Sequence, residues 1–204
     1  MTGTGKSPDK GPKLPAPEDG KKALFGSIKN SSDPHVRRYA TFFLGQLEGE
    51  EEITYLASLL RDSDKGVREQ AMAALARSGQ PGFAIISGLV TDPEWKVRYR
   101  ACEALGLMRD INAVPLLIRA LDDVKDHVRY MAAKSLGLIG DRRAEQPLIG
   151  RINDENKFVR KIVAGSLGKL GGNASVEALQ KQLDTEQSDE VKKAISHSIS
   201  QLQE

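Results

Sequence analysis

Apolar and small residues return along most of this chain with the spacing of a helix, and alternating apolar and polar runs of the strand kind are absent. The strongest instances begin at a valine followed by a basic residue: Val36-Arg37, Val67-Arg68, Val97-Arg98, Val128-Arg129, Val159-Arg160 and Val191-Lys192. With each valine as position i, the stripe continues at i+4, i+8 and i+11. After Val128 these are Ala132, Leu136 and Ile139, and after Val159 they are Val163, Leu167 and Leu170. Such a stripe is the buried face of a helix. The valines stand 31, 30, 31, 31 and 32 residues apart. A period that steady predicts stacked copies of one two-helix unit, each contacting only its neighbours.

The helix that carries the valine is termed helix B. Helix A precedes it with its own stripe, as in Ile53, Leu56, Leu59 and Leu60, in Phe83, Ile86, Leu89 and Val90, or in Val114, Leu117 and Leu121. The expected fold is all-α, a solenoid of about six two-helix repeats at about 21–48, 49–79, 80–110, 111–141, 142–172 and 173–204. Asp33-Pro34 and Asp92-Pro93 place an N-cap acceptor before a proline suited to a first turn. Gly79, Gly140 and Gly171 stand where a helix B should end. Gly45, Gly106, Gly137 and Gly168 all fall at i+9. Glycine inside a helix costs about 1 kcal/mol relative to alanine, so its return at one phase predicts close helix–helix approach. The last helix B is more polar (Ser196, His197, Ser198, Ser200, Gln201), as a terminal repeat requires.

Composition narrows the picture. Among 204 residues there is a single cysteine, Cys102, which excludes an intrachain disulfide and a cysteine-based metal site. The net charge of +2 provides no global field toward nucleic acid or a membrane. Residues 1–20 are rich in Pro, Gly, Lys and Asp and read as a disordered tail. They contain no apolar signal core, and no apolar run is long enough to span a bilayer. A cytoplasmic protein is expected. The opening TGTGKS resembles the end of a phosphate-binding loop but follows no strand and meets Pro8 at once, so it is not read as one.

The phrases VRYRACEALGLMRDINAVPLLIRAL (97–121) and VRYMAAKSLGLIGDRRAEQPLIGRI (128–152) resemble the HEAT-like repeat family first named for phycobilisome bilin lyases. The resemblance covers about residues 21–204. It implies a right-handed superhelix of the armadillo/HEAT kind, with helix B on the concave side and helix A outside. It does not imply one function, because the scaffold serves unrelated proteins. Repeat enzymes with a di-iron centre carry His-Glu ligand pairs. This chain has none, and His35, His127 and His197 lie in three different repeats. Nothing in the chain marks bilin-lyase chemistry.

On a wheel of about 100° per residue, i−1, i+2, i+3, i+6 and i+10 lie opposite the buried stripe. Aromatic and basic residues concentrate there. The candidate binding residues are Arg38, Tyr39, Phe42, Trp95 (at i−2), Lys96, Tyr99, Arg100, His127, Tyr130, Met131, Lys134, Phe158 and Lys161. Aromatic area combined with basic anchors suits a binding surface. Packing against the next repeat is the competing use, above all for Phe42 and Phe158. The arginines at i+1 are read differently, as a ladder tying adjacent turns through Asp33, Asp64, Asp92, Asp123 and Asp154. Cys102 reads as a small packing residue.

These readings favour a non-enzymatic scaffold that binds another protein, as an extended peptide or a helix, in the concave groove. No catalytic residue, metal or cofactor is assigned. A bilin- or tetrapyrrole-handling protein is the alternative, with enzymatic activity only in that case. A nucleic-acid-binding repeat protein stands third, because the near-neutral whole-chain charge opposes the basic groove.

Overall fold

A computed structural model describes residues 17–47 and 49–203. Among them twelve α-helices form six pairs and no strand appears. The pairs are α1 (Pro17–Asn30) with α2 (Pro34–Leu44), α3 (Glu50–Ser58) with α4 (Lys65–Arg77), and α5 (Gly79–Leu89) with α6 (Trp95–Met108). Then come α7 (Val114–Ala120) with α8 (Asp126–Ile139), α9 (Glu145–Ile149) with α10 (Lys157–Leu170), and α11 (Asn173–Thr185) with α12 (Asp189–Gln203). A 3₁₀ turn extends α3 at its end, and 3₁₀ turns open the way into α7 and α9. Residues 17–20, in the stretch read as a tail, form the first turn of α1. The rest of that expected tail lies outside the described residues.

The chain is an α-solenoid. Its even-numbered helices are the B helices, and each packs along the next, while successive A helices touch over less of their length. The B helices therefore form the more closely packed layer, the one expected on the inner face. Val67, Val97, Val128, Val159 and Val191 are all buried, with Leu75, Leu105, Leu136 and Leu167 beneath them. Helix A completes the core with Leu56, Ile86, Leu117, Leu148 and Leu179.

A repeated small-residue contact sets the spacing of the B layer. The i+9 glycine of one helix faces the i+7 residue of the next: Gly45 against Ala74, Gly106 against Ser135, Gly137 against Ser166, Gly168 against Ser198. Ser135 and Ser166 are buried, and each donates its hydroxyl to a carbonyl of the preceding helix, at Cys102 and Ala133, both at 2.8 Å. A buried hydroxyl satisfied in this way adds specificity without a desolvation penalty. Ser198, expected as part of a polar cap, is instead one of these packing residues. Burial pushes the Cys102 thiol up to about 12, which leaves it inert.

Helix ends follow local chemistry. Asp33 accepts from the His35 N–H at 2.8 Å and Asp64 from the Val67 N–H at 2.9 Å. Asp92-Pro93 does not start a helix. α6 begins at Trp95 behind Glu94, and Asp92 instead takes Arg61 of the preceding repeat. Gly140 ends α8 at φ 78°, in the left-handed region. Arg109 holds the corresponding place after α6 at φ 52°, a conformation that strains a side chain.

The arginine ladder is real, and Asp123 and Asp154 take part in it as expected, while Asp62 and Glu186 fill the remaining places. Arg37 forks onto Asp62 (3.0 and 2.9 Å), Arg98 onto Asp123 (2.6 and 2.8 Å), Arg129 onto Asp154 (2.7 and 2.8 Å) and Arg160 onto Glu186 (2.8 and 2.8 Å). Each reaches the turn of the following repeat. Each also donates to carbonyls of its own turn, as Arg98 does to Asp92 at 2.8 Å. Asp33 and Asp64 serve as caps instead. Arg68 reaches only carbonyls, at Asp62 and Ser63.

This ladder predicts acid sensitivity. The Arg160 hydrogen bonds hold the Glu186 carboxyl at about 2, against the opposing effect of burial, with the Ser188 N–H and Gln182 adding to them. The folded state therefore favours the charged form. That stabilisation is complete above the ordinary value of 4.5 and is lost as pH falls through about 2. The melting temperature should hold near neutral pH and fall steeply between about pH 4.5 and 2. Glu186→Gln should melt several degrees lower at neutral pH and show a shallower acid decline.

Candidate binding surface

Three consecutive B helices build one pocket. Tyr99 of α6, His127 and Tyr130 of α8, and Phe158 and Val159 of α10 line a cavity of about 410 Å³ together with Asp126 and Asn156. Tyr99 and Tyr130 share position i+2, and His127 and Phe158 share i−1, so the solenoid repeat itself brings them side by side. The volume falls at the small end of ligand sites, enough for one large side chain.

A polar chain sets the rings. Asp126 accepts from the His127 backbone N–H at 2.8 Å and lies 2.7 Å from its ring Nδ1. The His127 contact comes first among the causes that hold the Asp126 carboxyl below the usual range. Asn156 donates its amide N–H to the other carboxylate oxygen, and its own oxygen caps α10 at the Phe158 N–H, 2.8 Å away. Asp126, the first residue of α8, and Asn156, the N-cap of α10, thus line the pocket without having been expected there, because both stand at the helix entrance ahead of the positions counted on the wheel. The Trp95 ring stands 5.1 Å from that of His127. Arg100 lies over Tyr99 at 5.3 Å and Lys157 over Phe158 at 5.2 Å. What this arrangement offers is apolar area with a basic rim.

The other candidates divide by environment. Lys96, His127, Lys134, Phe158 and Lys161 are exposed, while Trp95, Tyr99 and Tyr130 are half-buried and pack on the core. Arg100 is largely taken up internally, at 2.6 Å from Glu103 and 3.8 Å from Glu69. Met131, expected on the inner face, is a core residue with 2 % exposure. Position i+3 lies at the edge of the polar arc, and a B helix flanked by neighbours on both sides buries a wider arc than its own stripe.

Arg38, Tyr39 and Phe42 stand two repeats away from the pocket, on α2 of the first described repeat. Arg38 lies across Gly66 and reaches Asp64 at 3.3 Å. Tyr39 is 67 % exposed. Here Val36, buried in every other copy, is 42 % exposed, and among the described residues no earlier B helix covers it. The i+7 residue is Phe43, 55 % exposed and edge-on to Phe42 with ring centroids 5.4 Å apart. The sequence carried the signal, since every other repeat has Ala or Ser at i+7. Larger crevices, of about 760 Å³ among α3, α4, α5 and the turn after α2 and about 970 Å³ between α1 and α3, hold none of the expected binding residues. No helix of the described residues is long and apolar enough to cross a membrane.

Comparison with known proteins agrees with this architecture. A family model described as HEAT repeats matches residues 21–84, 83–154 and 128–200. No curated protein matches the chain. Among solved structures, the complex of CpcE and CpcF of phycocyanin lyase from Nostoc sp. PCC7120 is 19 % identical, with a TM-score of 0.67 over 74 % of this chain and 99 % of that one. Kap121p is 15 % identical, with a TM-score of 0.72 over 91 % of this chain and 25 % of its own. A designed armadillo repeat protein in complex with the peptide (KR)4 is 19 % identical, with a TM-score of 0.55 over 90 % and 98 %. At these identities the likeness establishes the fold.

Proposed function

The chain belongs to the HEAT repeat family, and we propose that it acts as a non-enzymatic scaffold whose inner face holds a protein partner. The partner is an extended peptide or a helix. The observation that carries this reading is the pocket of Tyr99, His127, Tyr130 and Phe158, drawn from three successive repeats rather than one. Packing alone does not require rings to converge on an open cavity. With B helices about 8–10 Å apart, six repeats offer a face on the order of 50 Å long. The designed armadillo protein seats a peptide on the same general architecture. We place the protein in the cytoplasm, where its one buried cysteine stays reduced.

The test is a variant with Trp95, His127 and Phe158 changed to alanine. His127 and Phe158 are exposed and Trp95 half-buried, so helicity by circular dichroism should be preserved. Capture of the partner from native lysate should be lost. Capture at the wild-type level would remove the reading.

The alternative is a tetrapyrrole-handling protein, favoured by the structural likeness to the phycocyanin lyase complex and by aromatic walls on which a pigment could stack. An absorbance shift on mixing with bilin or haem would select it.

A further inference from the structure

The charges of the inner face are unevenly matched. At the B-helix positions that face inward, every acid is already engaged. Glu69 lies 3.5 Å from Lys65 and 3.8 Å from Arg100, Glu103 takes Arg100 at 2.6 Å, and Glu190 lies 3.7 Å from Lys157. In the pocket, Asp126 is occupied by His127 and Asn156. The cations are different. Lys96, Lys134, Lys161, Lys169, Lys193 and Arg77 are all exposed, and none has an acid within 4.0 Å among the described residues. Glu94 and Asp189 stand exposed at the starts of α6 and α12, too few to balance six cations. The chain as a whole carries only +2, so this surplus is local.

We propose that the partner segment is acidic and carries an aromatic or large apolar side chain that enters the pocket between α6, α8 and α10. This rests on the reading of the inner face as the partner site. The lysines flank the pocket along the solenoid, on α6, α8, α10 and α12, so an extended acidic chain crossing the B helices meets one cation after another. Charge complementarity of this kind speeds encounter and fixes register, while the buried ring supplies the anchor.

A nucleic acid is the other polyanion to weigh, and two observations favour the peptide. The arginines suited to forking phosphate are locked in the turn ladder, which leaves almost only lysine on the face. The ring faces on which bases would stack are in part covered, Tyr99 by Arg100 and Phe158 by Lys157.

Fluorescence anisotropy with the full chain tests the assignment. The probes are labelled peptides of repeating Glu-Glu-Phe-Gly and Lys-Lys-Phe-Gly units and a single-stranded oligothymidine. The acidic probe should bind at least about tenfold tighter than either of the others. Lys134→Glu with Lys161→Glu should weaken it about tenfold or more and flatten its salt dependence. Equal or tighter binding of the basic probe overturns the acidic assignment while the inner face stands as a binding site. Tighter binding of oligothymidine overturns it in favour of nucleic acid. Absence of acidic-probe binding also overturns it. The inner-face reading has its own test in partner capture by the alanine variant, so the two failures are told apart.

Discussion

Asp154→Ala is expected to be the most damaging single change in the chain, costing about 3–5 kcal/mol. Asp154 and Arg129 form the most buried pair of the ladder, with side chains only 2 % and 7 % exposed. The aspartate accepts the guanidinium fork at 2.7 and 2.8 Å and also the Asn156 N–H at 2.9 Å. Its removal leaves the guanidinium with the Asp123 carbonyl and the exposed Glu155, and it releases the turn that leads into α10. Most of the cost is the uncompensated buried charge rather than the worth of the pair. Replacing both residues with leucine should therefore recover much of the loss, since apolar groups of similar volume can substitute for a buried ion pair. Urea unfolding reads both values. A double variant no better than Asp154→Ala would show that the turn geometry, and not the charge, dominates.

Gly137→Ala should also destabilise, by about 2 kcal/mol, against the ordinary helix preference for alanine. A Cβ there would lie 2.6 Å from the Ser166 Cβ and 2.9 Å from its Cα, so α8 and α10 must separate. The Ser166 hydroxyl bond to Ala133 would stretch with them. Gly165→Ala supplies the contrast within α10. A Cβ at that position meets nothing within 4 Å, so the change should stabilise by up to about 1 kcal/mol. Hydrogen exchange should locate the first effect at the α8–α10 contact, because each repeat touches only its neighbours. Stabilisation by both substitutions would refute the close-approach account of the i+9 glycines.

Much of this was legible in the chain. The Val-Arg period announced repeats, and the i+9 glycines announced tight packing. Tyr99, His127, Tyr130 and Phe158 emerged from the wheel as inward-facing and do line one cavity. The failures share a cause. Met131 was misplaced because a wheel describes one helix in isolation, whereas its burial depends on both flanking helices. Asp126 and Asn156 stand at helix entrances, the first residue of α8 and the N-cap of α10, ahead of the positions counted on the wheel. Of the expected ladder acids, Asp123 and Asp154 hold, but Arg37 meets Asp62 rather than Asp33, a choice set by how two turns stack.

By itself the sequence determined the two-helix unit, its buried stripe and the direction its polar face points, since these follow from local periodicity and side-chain size. Only the tertiary structure decided which inward residues share a cavity, which cations keep their charge unmatched, and that Phe43 and Val36 are exposed. Those outcomes depend on the distance between neighbouring repeats, and that distance is set by the small-residue contacts across the B layer, not by any one helix.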